Sequence, residues 1–268
     1  MTINIIMPLP SRDFDPTEVS VSWKVMIDAG LKVGFATVDG QRGYCDSRMI
    51  SGEGLDPWGW IPLLKKIRLF GLLLRANRAA RTDDGMLLAG GHASGMKQYL
   101  EDQTLQGFVA DFFDHVDAKG QNKPVAAVCH GVILAARSKS KITHKSVLYG
   151  KKTTALTWAL EKSAWHLTKY FARFWDPTYY RTYIESKGES SGYWSVESEV
   201  KRALKSDADF QDVPKSADDY RLKTSGIARD SLNDGRAAWV VVDGNYISAR
   251  WPGDVHTMAK QFVDKMKR

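Results

Sequence analysis

Val125-Ala126-Ala127-Val128-Cys129-His130-Gly131-Val132-Ile133-Leu134-Ala135-Ala136 is the stretch whose reading decides the fold. Val125–Val128 is an apolar run of strand length, entered at Pro124. From Gly131 to Ser138 the apolar spacing turns helical, with no loop residues between the two patterns. Cys129 must therefore occupy a sharp strand-to-helix turn, where the backbone is tight and often strained. Such an elbow lifts its side chain above the edge of a sheet, at a helix N-terminus whose dipole favours a thiolate. The following N–H, that of His130, can face a developing oxyanion. A lone cysteine at a strand end can equally be a small core hydrophobe.

The rest of the chain alternates in the same way, which predicts a mostly parallel sheet with crossover helices. Strands are expected at Ile3–Met7, Lys32–Val38 and Asp84–Ala89. Helices are expected over Thr17–Ala29, Leu63–Arg81, the 105–116 region and Val196–Leu204. Trp239–Val242 and Tyr246–Ala249 flank Asp243-Gly244-Asn245 and read as a hairpin. The last helix is expected to start at Asp254 as its N-cap, with Val255, Met258, Ala259, Phe262, Val263 and Met266 on one face. Residues 41–81 form a possible cap. Residues 162–238 are rich in aromatics, too rich for a disordered linker, and are expected to be a helical insertion within a single domain spanning 1–268.

Of the 268 residues, 43% are hydrophobic and 26% charged, enough for a sizeable core. No run of about 18 apolar residues suggests a membrane span, and the N-terminus reads as a core strand rather than a signal peptide. Two cysteines, Cys45 and Cys129, are too few for a disulfide framework and lack metal-ligand spacing. A cytoplasmic protein with free thiols is the expectation, with Cys45 structural. The net charge of +7 sits partly in Lys65–Arg81, where interleaved leucines read as an amphipathic helix. No nucleic-acid motif accompanies it, so nucleic acid is not an expected partner.

Two other features could meet Cys129 at the C-terminal strand edge, where open α/β sheets bind ligands. Gly90-Gly91-His92 follows a strand, and Gly91 could supply a second oxyanion N–H. Glu18 lies beside the first strand–helix connection. A glycine pair is common, however, and Glu18 could be a solvated first-turn charge.

Together these pieces resemble the ThiJ/PfpI superfamily of class I glutamine amidotransferase-like proteins. Ala127-Val128-Cys129-His130-Gly131 resembles its nucleophile elbow, Leu88-Ala89-Gly90-Gly91-His92 its oxyanion turn, and Thr17-Glu18-Val19 the helix start carrying its acid. Asp243–Arg250 with Pro252-Gly253 resembles its closing strands. The likeness covers roughly 1–160 and 237–268. It implies a three-layer α/β/α sandwich, flavodoxin-like, with a mostly parallel sheet. A narrower resemblance, to the larger heat-shock chaperone and glyoxalase branch, implies a triad of Cys129, His130 and Glu161, with Glu161 after the strand-like Gly150–Thr157. Glu101 and Asp102 are alternatives for the third member. The implied oxyanion hole is Gly91 and His130, with Gly90 and His92 against the substrate. The implied function is cofactor-free chemistry on a small reactive carbonyl such as methylglyoxal, in a homodimer. Hydrolysis, amidotransfer or lyase chemistry on another small substrate is the enzymatic alternative. A stress chaperone or a redox sensor, with an exposed, acidic Cys129 thiol, is the non-enzymatic one.

Overall fold

The computed structural model describes residues 3–51, 83–116, 120–169 and 178–268. The expected helix over Leu63–Arg81, and most of the expected cap, lie outside these residues. The main sheet has six strands: β1 (Asn4–Leu9), β3 (Lys32–Thr37), β5 (Gly85–Leu88), β6 (Val125–Val128), β7 (Val240–Asp243) and β8 (Tyr246–Ala249). Their order is β3-β1-β5-β6-β8-β7. All pairings are parallel except the terminal β7–β8 hairpin. A two-stranded parallel ribbon, β2 (Arg12–Phe14) with β4 (Tyr44–Cys45), stands apart. The central strands β5 and β6 are buried along their whole length. That is why they read as unbroken apolar runs rather than alternating ones.

Helix α1 (Pro16–Asp28) packs with the C-terminal helix α9 (Val255–Met266) on one face of the sheet. On the other face α5 (His130–Arg137) is the central helix. It packs against α3 (Met96–Glu101), α4 (Gln103–Asp114) and α7 (Val196–Ala203). This is a three-layer α/β/α sandwich. Helix α2 (Ser47–Ser51) follows the ribbon, α6 (Trp158–Thr168) packs on α7, and α8 (Tyr220–Lys223) is a single turn. No helix among the described residues is long and apolar enough to cross a membrane.

Two expectations need correction. Gly150–Thr157 is not a sheet strand. It is an extended segment tied by a bridge between Thr153 and Phe210 and by Thr154 N–H donating to Ser248 Oγ at 2.9 Å. Asp254 precedes α9 but does not cap it with its side chain. Its carboxylate turns inward and receives Arg250 Nε at 2.9 Å, Arg250 Nη2 at 2.8 Å and Trp239 N–H at 3.1 Å. Both Arg250 and Asp254 are essentially inaccessible. A buried guanidinium is a stronger claim on that carboxylate than a helix end.

The described part of 162–238 is less helical than the composition suggested. Among the described residues between the end of α6 and the start of β7, only α7, α8 and a 3-10 turn at Asp207–Asp209 are regular. The irregular chain is held by buried polar anchors instead. Arg181, 1% exposed, donates to Glu161 Oε1 at 3.2 Å and forks onto Glu185 at 2.6 and 2.7 Å. Its guanidinium lies 5.0 Å from the Trp158 ring centroid and 5.5 Å from that of Trp165.

Candidate active site

Cys129 stands between β6 and α5 with φ 54° and ψ −124°. A side chain with positive φ is uncommon and costs about 1–3 kcal/mol. The elbow is held on both sides. Cys129 N–H donates to Ala249 O of β8 at 3.3 Å, and Cys129 O accepts from Val132 N–H at 3.1 Å. Glycines let the neighbouring segments close in. A Cβ on Gly131 would lie 2.1 Å from Leu88 O, and one on Gly90 would lie 2.7 Å from His130 N. The Gly90-Gly91 turn and the elbow are therefore in direct contact.

Glu18 reaches the same point from the first turn of α1. Asp15 caps that helix, accepting N–H groups of Thr17 at 2.7 Å and Glu18 at 3.1 Å. Glu18 is fully buried, and its Oε2 accepts Gly90 N–H at 2.6 Å. Oε1 has no hydrogen-bond partner among the described residues, and the neighbouring Cys129 thiol favours the charged carboxylate. Burial raises the Glu18 pKa well above the ordinary carboxyl value, and the neighbouring Asp15 raises it further.

Burial also pushes the Cys129 thiol well above its ordinary value, with Glu18 and Asp15 adding to the rise. The cysteine is 5% exposed. The expectation of an exposed, acidic thiol is thus corrected. The eight-residue helix behind it does not offset removal from water beside two carboxyls. The His130 N–H does favour the thiolate. This setting works against ready oxidation, which follows thiolate character and access.

The His130 ring turns back on the cysteine, with Nδ1 3.4 Å from Cys129 Sγ. Burial lowers its pKa to about 3, so the imidazole is neutral near pH 7. Glu161 sits in the first turn of α6, but both of its oxygens are engaged elsewhere. Oε1 receives Arg181 Nε at 3.2 Å and Oε2 receives Val196 N–H at 2.9 Å. Burial pushes this carboxyl up to about 7 against those donors. Among the described residues no hydrogen bond joins Glu161 to His130. The alternatives are placed elsewhere: Glu101 accepts from Tyr183 Oη at 2.7 Å on the surface, and Asp102 caps α4 through Leu105 N–H at 2.6 Å.

Gly91 N–H has no acceptor among the described residues. A Cβ on this residue would strike Asp13 O at 2.4 Å. His92 is buried beside it. Its ring stacks on Tyr180 at 4.4 Å and meets Tyr179 edge-on at 5.1 Å. Its Nε2 lies 3.6 Å from Asp46 Oδ2, which also accepts Tyr179 Oη at 2.8 Å. The structure thus joins Glu18, Gly90, Gly91, His92, Cys129 and His130 at one edge of the sheet and sets Glu161 behind Arg181. Cys45 lies in β4, half-buried, its thiol pushed up to about 11 by burial. Asp15, Asp46, Tyr180 and Arg181 were not singled out from the sequence. The run Tyr179-Tyr180-Arg181 follows no strand and matches no motif, so nothing short of tertiary structure could assign it to the site.

Residues 80–199 match the family model described as ThiJ/PfpI family-like. No curated protein matches. The Rapid Encystment Protein 24 kDa of Francisella tularensis is similar in structure, with TM-score 0.61, 16% identity and 99% of each chain covered. Glyoxalase III from Candida albicans superposes with TM-score 0.57 at 15% identity, covering 98% of this chain and 97% of its own. A ThiJ/PfpI domain protein from Brachyspira murdochii gives TM-score 0.53 at 15% identity, covering 99% and 97%. The matched span contains the glycine turn, the elbow and Glu161, while Glu18 and the closing hairpin fall outside it. The likeness to the ThiJ/PfpI family thus covers residues 80–199, and the three-layer fold is the one these solved structures share across nearly the whole chain.

Proposed function

We propose that this protein is a cysteine-dependent enzyme that converts a small 2-oxoaldehyde to a 2-hydroxy acid without glutathione. The observation that carries the reading is the Cys129 elbow, held at φ 54° with the Glu18 carboxyl and His130 Nδ1 beside its sulfur. The glyoxalase III of the same fold supports the choice of substrate class.

Of the two neighbours, Glu18 is the stronger base, because burial raises its pKa whereas burial holds His130 near 3. The thiol proton passes to Glu18. The thiolate attacks the aldehyde carbon, a C–S bond forms, and the carbonyl pair moves to oxygen. The N–H groups of Gly91 and His130 receive that oxyanion. Glu18 returns the thiol proton to that oxyanion through His130, and the carboxylate so regenerated takes the proton from the former aldehyde carbon. Return of a proton at the adjacent carbon, through an enediol, leaves a 2-hydroxy thioester. Water cleaves its C–S bond and restores the thiol. Oxoaldehyde plus water equals hydroxy acid, so no external oxidant or reductant enters. Gly90 and His92 line the approach. Glu161 acts at a distance, by fixing Arg181 and the loop that carries Tyr180.

The test is lactate formation from methylglyoxal without glutathione by the protein and by Cys129→Ser. Lactate from the native protein alone is expected. Equal yields from the folded Cys129→Ser variant would overturn the reading.

A further inference from the structure

We propose that Arg229 is the anion-recognising residue of the Cys129 site, and that the natural substrate carries a carboxylate or similar acidic group besides its reactive carbonyl; this rests on Cys129 being the reactive group.

The placement comes from the closing strand. The Ala249 carbonyl that receives Cys129 N–H ends β8 at the same sheet edge as the elbow. Two residues on is Trp251, and the Arg229 guanidinium lies over its ring, 5.1 Å from the centroid. The backbone beneath Arg229 is fixed on the other side. Asp230 N–H donates to Gly253 O at 2.8 Å, and the Asp230 carboxylate receives Thr257 N–H at 2.6 Å and His256 N–H at 3.3 Å. A guanidinium laid on an aromatic ring keeps its edge donors free for a planar anion.

Its partners distinguish Arg229 from the neighbouring half-buried and buried arginines. Arg137 has Glu199, Arg181 has Glu161 and Glu185, and Arg250 has Asp254. Arg229 has no carboxylate or carbonyl partner among the described residues, although it is only partly exposed. Its charge is nevertheless felt at the site, where it opposes the rise in pKa of Asp15, Glu18 and Tyr180. An unpaired, partly desolvated cation at the sheet edge that carries the elbow is completed by an anionic ligand, through charge-assisted hydrogen bonds.

Iodoacetate and iodoacetamide test this directly, because they alkylate the same sulfur and differ by one negative charge. Rates at Cys129 are read by peptide mass mapping, which separates Cys45. Any change in thiolate fraction cancels in the iodoacetate-to-iodoacetamide ratio. Arg229→Gln is expected to lower that ratio about tenfold or more, the loss of one charge-assisted contact. Arg229→Lys is expected to keep part of it, which guards against a misfolded variant. An unchanged ratio in folded Arg229→Gln would overturn the proposal. Inertness of native Cys129 to both reagents would overturn it together with the reading of Cys129 as a nucleophile. The ratio needs no turnover, so a negative lactate assay would leave it standing.

Discussion

Glu161 accepts Arg181 Nε at 3.2 Å, both side chains being almost wholly buried, and this pair links the start of α6 to the loop that stacks Tyr180 on His92. Removing one partner of a buried pair strands the other. Arg181→Met should therefore destabilise the protein by about 3 kcal/mol or more, read from the urea midpoint. Glu161→Gln keeps an acceptor for Val196 N–H and should cost less. If Glu161 acts only through Arg181, Glu161→Gln should lower turnover in proportion to Arg181→Met. A loss confined to Glu161→Gln would favour a direct catalytic role.

Glu18→Gln leaves an amide oxygen to accept Gly90 N–H, so the fold should survive. It removes the proton acceptor for the thiol and for carbon. Turnover of methylglyoxal should fall about 100-fold or more, with KM little changed. Steady-state kinetics on a variant of native thermal midpoint would check this.

Gly131→Ala would drive a Cβ to within 2.1 Å of Leu88 O, a backbone atom that cannot swing away. Overpacking of this kind costs about 1–3 kcal/mol, sometimes more. Denaturant unfolding should show it, and the strand-to-helix elbow should be displaced with it.

His130 has a folded pKa of about 3 against an ordinary 6.5. Below pH 6.5 the unfolded chain takes up a proton that the folded imidazole refuses. Stability should therefore fall as pH drops from about 6.5 toward 3, with a slope of up to about 1.4 kcal/mol per pH unit from this group. His130→Asn should flatten that part of the profile. Urea midpoints measured from pH 7 to pH 4 would show whether it does.

The elements that form the sheet were legible because their signals are local. The strand Val125–Val128 running into a helical pattern placed Cys129, and the strand ending at Gly90-Gly91 placed its neighbour. Glu18 was legible from its position beside the first strand–helix connection, with the parallel order bringing α1 to β5. What stayed unreadable depends on long-range competition for polar groups. Asp254 looks like an N-cap, but a buried Arg250 takes its carboxylate. Glu161 follows the extended Gly150–Thr157 as expected, yet Arg181 and Val196 occupy it from a segment with no periodicity. The rise in the thiol pKa is not legible in the sequence, because a helix dipole is a local cue while burial and two nearby carboxyls are tertiary facts.

A shared proton environment for Glu18 and Cys129 underlies the proposed chemistry. It is tested most directly by the pH dependence of Cys129 alkylation by iodoacetamide, in the native protein and in Glu18→Gln. The native profile should rise above pH 9, the ordinary thiol value. Glu18→Gln removes a neighbouring negative charge and should shift the profile to lower pH, making the sulfur more reactive near pH 7 even as turnover is lost. A native profile at the ordinary position, unmoved by Glu18→Gln, would contradict the account.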